Sequence, residues 1–163
     1  MDRWFRLDNA AKIFPAVTKN SNSSVFRVSM ELTEKVDPEL LQKAADLAIR
    51  RYPVLQVKIR RGMFWNFFDQ NERPLVVQPE TVYPCAPLDP RTNNGYFLRV
   101  LYYRSTVSVE MFHSLTDGTG ALEFLKTLVY QYLLLPGAAV RDEGLVLRPD
   151  DDPSRYEMED SFT

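Results

Sequence analysis

The feature that most constrains the fold is a strand pattern that passes directly into a helix pattern between Val107 and Leu135. Val107, Val109 and Met111 alternate with more polar residues, which predicts a strand with one buried face. From about Thr119 to Leu135 the apolar residues recur at helical spacing instead. Such a junction places the residues between strand and helix at the rim of a sheet, where a ligand can reach them while the strand holds them in place.

This junction contains the only histidine of the chain, His113. With Asp117 and Gly118 it forms an H-x-x-x-D-G string. Imidazole is the side chain that most readily exchanges a proton near neutral pH, so it can accept a proton from a hydroxyl or amine nucleophile. We therefore consider His113 a candidate general base.

The residues after His113 allow both a functional and a simpler interpretation. Asp117 lies where the helix begins, so its carboxylate can cap the helix amides, pair with an arginine, or brace the loop that aims His113. Gly118 and Gly120 leave room for a backbone turn or for the close approach of a slender ligand. The simpler interpretation is a polar loop with an ordinary histidine, a helix cap and two turn glycines. The string therefore indicates a site only together with its strand-to-helix setting.

Composition excludes several other classes of protein. A chain of 163 residues with an ordinary apolar share fits one domain with a sizeable core. Its apolar runs are too short for a membrane span and its first residues do not resemble a secretory signal, so a cytoplasmic protein is expected. One cysteine, Cys85, and one histidine exclude an intrachain disulfide and a standard zinc site, and we expect no metal.

The net charge of −2 is unevenly distributed along the chain. From Arg141 onward there are eight acidic and three basic residues, which is typical of a linker. We therefore predict a subdomain over residues 1–140 and an acidic linker or crossover segment over residues 141–163. The weakly positive remainder lacks the clustered basic face of a nucleic-acid-binding protein.

The rest of the pattern predicts an α+β fold, with a mixed β-sheet packed by two main helices. Strands are expected at Val25 to Leu32, Val54 to Arg60, Met63 to Phe68, Gly95 to Tyr103 and Ser105 to Phe112. The last two form a hairpin that turns at Arg104 and delivers His113.

Two further segments have clear sequence signals: the first helix, and the loop that follows the predicted strand from Met63 to Phe68. Asp37 and Pro38 supply an N-cap and a first helical residue, and Tyr52-Pro53 ends the helix. Five prolines between Asn71 and Asn94 predict a loop with one short strand around Leu75 to Val77.

Three stretches also resemble a known superfamily. FHSLTDGTGALEFLKTLVYQYL is similar to the active-site motif of the acyltransferases related to chloramphenicol acetyltransferase, which include peptide-synthetase condensation domains and alcohol O-acetyltransferases. WFRLDNAAKIFPA, from Trp4 to Ala16, resembles the opening of bacterial alcohol acetyltransferase-like proteins. DPELLQKAADLAIRRYPVL resembles the first helix and next strand of the superfamily. The position before His113, often a second histidine in these proteins, is Phe112 here.

The resemblance implies half of a two-subdomain fold and a reaction. In the family an acyl-CoA thioester, here expected to be acetyl-CoA, meets an alcohol in a channel between two similar halves. His113 would be the general base, Asp117 structural support and Gly118 the residue that keeps the channel open. No tightly bound cofactor is implied. The partners are the two small substrates and a C-terminal half. Without that half the fragment is expected to be inactive and to expose an apolar surface, through which it can self-associate.

Two other functions remain open on these residues. The first is amide-forming condensation with a carrier-protein thioester, which uses the same base. The second is a catalytically silent module that uses the fold for binding. The presence of His113, Asp117 and Gly118 favours catalysis over silence.

Overall fold

The structure is a computed structural model that describes residues 25–64 and 66–135. Within these ranges there are two α-helices, α1 (Pro38–Ala48) and α2 (Gly118–Leu134). The strands are β1 (Val25–Glu31), β2 (Val57–Arg61), β3 (Asn66–Gln70), β4 (Gln78–Pro79), β5 (Leu98–Tyr103) and β6 (Thr106–Phe112). The N-terminal stretch from Trp4 to Ala16, residue 65 of the predicted strand from Met63 to Phe68, and the predicted acidic linker lie outside the described residues.

The strands form a four-stranded mixed sheet and a separate hairpin. The sheet order is β1-β6-β5-β4, with β6 antiparallel to both β1 and β5 and with β4 parallel to β5. β2 and β3 pair antiparallel with each other. The predicted α+β class, with a mixed sheet and two main helices, is therefore confirmed.

The hairpin that leads to His113 turns where the sequence predicted. Arg104, between β5 and β6, has a φ of 52°, a left-handed conformation that is uncommon for residues with a Cβ and is used here to reverse the chain. The resulting register sets Met111 opposite both Phe26 on β1 and Leu98 on β5. β6 is thus the central strand through which the site is positioned.

Both helices begin at the aspartates that the sequence predicted as caps. The Asp37 carboxylate accepts hydrogen bonds from the amides of Glu39 (2.9 Å) and Leu40 (3.2 Å), and Pro38 opens α1. Asp117 caps α2 in the same way. These bonds satisfy amides that have no partner inside the helix.

The two helices pack against each other and α2 packs on the sheet. The Tyr132 hydroxyl of α2 accepts a hydrogen bond from the Asp37 amide at 2.9 Å, and the hydroxyls of Tyr52 and Thr127 lie 2.9 Å apart. Between them lie buried apolar side chains of both helices and of the central strands, among them Leu41, Ala44, Phe124, Leu125, Leu128, Val109 and Met111. This core supports the strand that ends at His113.

Several predicted strand bounds were wrong; β5, for example, begins at Leu98 rather than at Gly95. β2 starts at Val57 rather than at Val54 because the Tyr52 carbonyl accepts hydrogen bonds from the amides of Leu55 and Gln56, which turns the chain. β3 begins at Asn66 rather than at 63, and the short strand is Gln78–Pro79 rather than 75–77.

Neither described helix is long and apolar enough to cross a membrane.

Candidate active site

His113 is the first residue after β6, and its side chain is exposed to solvent. Its imidazole stacks on the ring of Phe26 from β1, with centroids 4.4 Å apart and planes inclined by 29°. Within residues 25–64 and 66–135 no side chain or backbone group forms a hydrogen bond with the imidazole. A substrate can therefore reach both its exposed face and its nitrogens without displacing a described partner.

The loop after His113 is held in place by a backbone hydrogen bond between the residues that flank His113 and by two buried side chains. The Leu115 amide donates a hydrogen bond of 3.0 Å to the Phe112 carbonyl. Leu115 and Thr116 are buried, whereas His113 and Asp117 are exposed. The buried side chains of Leu115 and Thr116 hold the loop in place, while the side chains of His113 and Asp117 remain accessible to solvent.

Asp117 is the N-cap of α2. Its carboxylate accepts a hydrogen bond of 2.8 Å from the Gly120 amide, and its carbonyl accepts one of 3.1 Å from the Ala121 amide. No arginine or lysine in the described part of the chain forms an ion pair with Asp117. Of the roles considered for this residue, capping is the one that the structure shows.

The two glycines at the start of α2 differ in their surroundings. A Cβ added to Gly118 would have no heavy atom within 4 Å among the described residues. A Cβ added to Gly120 would lie 2.1 Å from Oγ1 and 3.2 Å from Cβ of Thr116. Gly120 is therefore required for the close approach of the helix to the loop, whereas Gly118 borders open space.

A partly buried ion cluster is formed by Arg27, Glu80, Arg99 and Glu110. Glu110 lies three residues before His113. Glu110 on β6 is fully buried and binds Arg99 on β5 through both charge and hydrogen bonding. The Cys85 amide donates a hydrogen bond of 2.7 Å to the same carboxylate. The sequence pattern did not predict this cluster, because its four residues come from distant parts of the chain.

Arg27 joins the ion cluster from the other side of β6. Its Nε lies 3.3 Å from Glu110 Oε1, and a terminal nitrogen lies 2.8 Å from Glu80 Oε1. Neither nitrogen forms a hydrogen bond with a described residue, so the two contacts are electrostatic attractions between opposite charges. Since Arg27, Glu110 and Arg99 are aligned in register across three strands, the cluster ties these strands together.

Cys85 lies beside the ion cluster. Burial raises the pKa of its thiol, and the nearby Glu110 carboxylate raises it further. A raised pKa reduces the thiolate fraction, which is the nucleophilic form. The cysteine is therefore a poor candidate for the nucleophile of this site.

In the described part of the chain, no group of three or more histidine, cysteine, aspartate or glutamate side chains is arranged to hold a metal ion.

Known proteins resemble this chain in structure. Neither a family model nor a curated protein sequence matches it. The first condensation domain of the calcium-dependent antibiotic synthetase, in complex with a substrate analogue, superposes with a TM-score of 0.61 at 14% identity, covering 86% of this chain and 39% of that one. The starter condensation domain of rhizomide synthetase RzmA gives 0.60 at 14% identity, covering 86% and 40%.

A variant of the RzmA domain in complex with C8-CoA gives a TM-score of 0.59 at 14% identity, over 85% of this chain and 38% of that one. The chain thus spans about two fifths of the length of these structures. At such low identity the likeness shows the fold alone. Over its described residues this chain has the fold of part of a condensation domain.

Proposed function

We propose that this chain supplies the general base of an acyltransferase that moves an acyl group from a thioester to a hydroxyl. The observation that supports the proposal best is His113 itself, an exposed imidazole with no described hydrogen-bond partner at the end of the central strand. The fold is that of condensation domains. The side chain is held at its base by β6 and is free at its nitrogens, which is the geometry a base requires.

The proposed reaction is a single acyl transfer. One nitrogen of His113 accepts the proton of the acceptor hydroxyl as its oxygen attacks the thioester carbonyl carbon. A carbon–oxygen bond forms, the carbon–sulfur bond breaks, and the proton passes from the imidazolium to the departing thiolate. The products are an ester and a free thiol, and the base returns to its neutral form.

Asp117 and Gly118 support this reaction without exchanging protons in it. Asp117 caps α2 and so fixes the start of the helix next to the loop that holds His113. Gly118 borders open space, and we propose that this space belongs to the substrate channel. A side chain at that position would narrow the channel next to the base.

The identity of the donor divides the proposal into two forms. A condensation-domain variant of the same fold binds C8-CoA, which supports acyl-CoA, including acetyl-CoA, as the thioester and an alcohol as the acceptor. The second form is condensation with a carrier-protein thioester, forming an amide when the acceptor is an amine. It is favoured by the condensation domain of the calcium-dependent antibiotic synthetase, which shares the fold.

We further propose that the channel has a second wall, which residues outside this chain contribute. The chain covers 39% and 40% of two condensation domains that it resembles. A base accelerates a reaction only when both substrates are held within hydrogen-bond reach, and such positioning can account for about 7–11 kcal/mol of barrier lowering. The chain by itself is therefore expected to have negligible activity.

The test measures thiol release by the protein that carries both halves. Acyl-CoA and acyl carrier-protein thioesters are each offered with a panel of alcohols and amines, which separates the two forms of the proposal. His113→Ala should lower turnover by about 100-fold or more, with Ser114→Ala as the neighbouring control. Near-normal turnover by a folded His113→Ala protein would remove His113 from the reaction.

A further inference from the structure

The stack between His113 and Phe26 follows from strand pairing rather than from closeness in sequence. Phe26 on β1 lies opposite Met111 on β6, and His113 is two residues beyond Met111. Residues two apart on a strand share a face, and diagonal neighbours on adjacent strands lie within reach of aromatic side chains. The ring centroids are 4.4 Å apart.

Phe26 is itself held in place on both sides of β1. Its ring is half-buried and packs against the hydrophobic core. The next residue, Arg27, points to the opposite face and joins the ion cluster through Glu110 and Glu80. Phe26 therefore offers His113 a surface whose position does not depend on the loop.

Within the described residues, the imidazole has no hydrogen bond, ion pair or other ring contact that could orient it. A catalytic base is usually aligned by a hydrogen bond from a third group, and within the described residues His113 has none. The Phe26 ring is the group in contact with the imidazole face, with the planes inclined by 29°. In many other sites a hydrogen bond restrains the imidazole, whereas here the described restraint is a ring stacked on its face.

We propose that Phe26 is a positioning residue for His113, a role that rests on the proposed function of His113 as a base. The stacked ring restricts rotation of the imidazole about its Cβ–Cγ bond and shields one face from water. When His113 accepts the proton, the resulting imidazolium lies over an aromatic face, and this arrangement stabilises a cation. Phe26 thereby favours both the orientation and the charged form that the reaction needs.

The stack is tested first on the 163-residue chain, where no activity is required. Because His113 is the only histidine, its ring protons give the only imidazole signals in the proton NMR spectrum. The ring current of Phe26 displaces these signals, and Phe26→Leu should return them toward their positions in the urea-unfolded chain. Unchanged signals in a folded Phe26→Leu protein would overturn the proposal.

Phe68→Leu is the matched control for this measurement. Phe68 is also half-buried and packs against the core, but its ring contacts Phe97 edge-on at 5.6 Å instead of His113. Its replacement should cost similar stability and leave the imidazole signals in place. Equal displacement by both variants would mean that a general loosening, not the stack, moves the signals, and would also overturn the proposal.

The second measurement uses the acyl-transfer assay with both halves present. Phe26→Leu should lower kcat by roughly two- to fivefold, the factor that corresponds to a cation–π contact at an exposed site, with KM unchanged. Phe26→Tyr, which keeps the aromatic face, should restore most of the rate. In a His113→Ala background Phe26→Leu should cause no further loss, because positioning acts only through the imidazole.

The outcomes separate the two proposals. An equal loss of rate in both backgrounds, or no loss in the wild-type background, would overturn the role of Phe26 while leaving His113 as the base. Undiminished turnover by His113→Ala would instead refute the proposed function itself. Loss confined to the wild-type background, with rescue by tyrosine, would support both.

Discussion

Glu110 and His113 lie three residues apart at the end of β6, yet their surroundings are opposite. Glu110 is completely buried and its carboxylate is shared by Arg99, Arg27 and the Cys85 amide. His113 is exposed, contacts one aromatic ring and has no hydrogen-bond partner in the described ranges. The two polar groups are close in sequence but point to different faces of the sheet.

The difference separates a polar group that builds the structure from one that is available for chemistry. A buried charge is stable only when partners compensate for its lost hydration. For Glu110 this compensation comes from Arg99, Arg27 and the Cys85 amide. An exposed imidazole without internal partners gains nothing for stability from its nitrogens, which are free to bind a substrate. The following predictions, from the largest effect to the smallest, would sharpen or break this contrast.

Glu110→Gln should lower the free energy of unfolding by about 3 kcal/mol, because it leaves two arginines without their shared countercharge. We expect the lower end of the usual range since the Arg27 and Arg99 side chains keep 17% and 11% exposure. The control is Asp69→Asn, which removes the exposed ion pair with Arg60 and should cost less than about 1 kcal/mol. Urea unfolding measures both, and similar losses would contradict the structural role of Glu110.

Gly120→Ala should lower the free energy of unfolding by about 1–3 kcal/mol, since the added methyl group would overlap Thr116. Gly118→Ala adds the same group beside open space and should be neutral or slightly stabilising. Adding Thr116→Ala to Gly120→Ala should recover part of the loss. If the two glycine variants unfold at the same urea concentration, the close approach of α2 to the loop is not as described.

Asp117→Ala and Asp37→Ala should each lower the free energy of unfolding by about 1 kcal/mol, because each removes the N-cap of a helix. Only the first lies beside the candidate site. We therefore expect Asp117→Ala, but not Asp37→Ala, to displace the NMR signals of His113. Equal displacement by both would argue that helix stability in general, rather than the local cap, governs the loop.

Cys85 should be alkylated by iodoacetamide more slowly in the folded chain than in urea at the same pH. Burial and Glu110 raise the pKa of its thiol, so the reactive thiolate is scarcer in the folded state at pH 8 to 9, near the usual titration range of the group. His113, in contrast, should react with diethyl pyrocarbonate while the protein is folded. Fast alkylation of native Cys85 would show that the region around Glu110 is open to solvent.

Local pattern was sufficient to predict much of the candidate site. The strand ending at Phe112, the turn at Arg104 and the cap at Asp117 depend on neighbouring residues and on backbone chemistry, and the structure bears them out. Residue 54 was wrongly included in a strand because the turn around Tyr52 leaves no distinct pattern of polarity. Whether His113, Asp117 and Gly118 act in catalysis stays a prediction that the experiments above address.

By itself the sequence determined the class of fold and the strand-to-helix junction, because periodicity, caps and turn residues act over a few positions. The tertiary structure alone decided the partners of the junction. Strand register brings Phe26 to His113 and sets Arg27 beside Glu110, across more than 80 residues in each case. Such pairings depend on the packing of all strands at once, and no local pattern encodes which distant side chain will lie beside which.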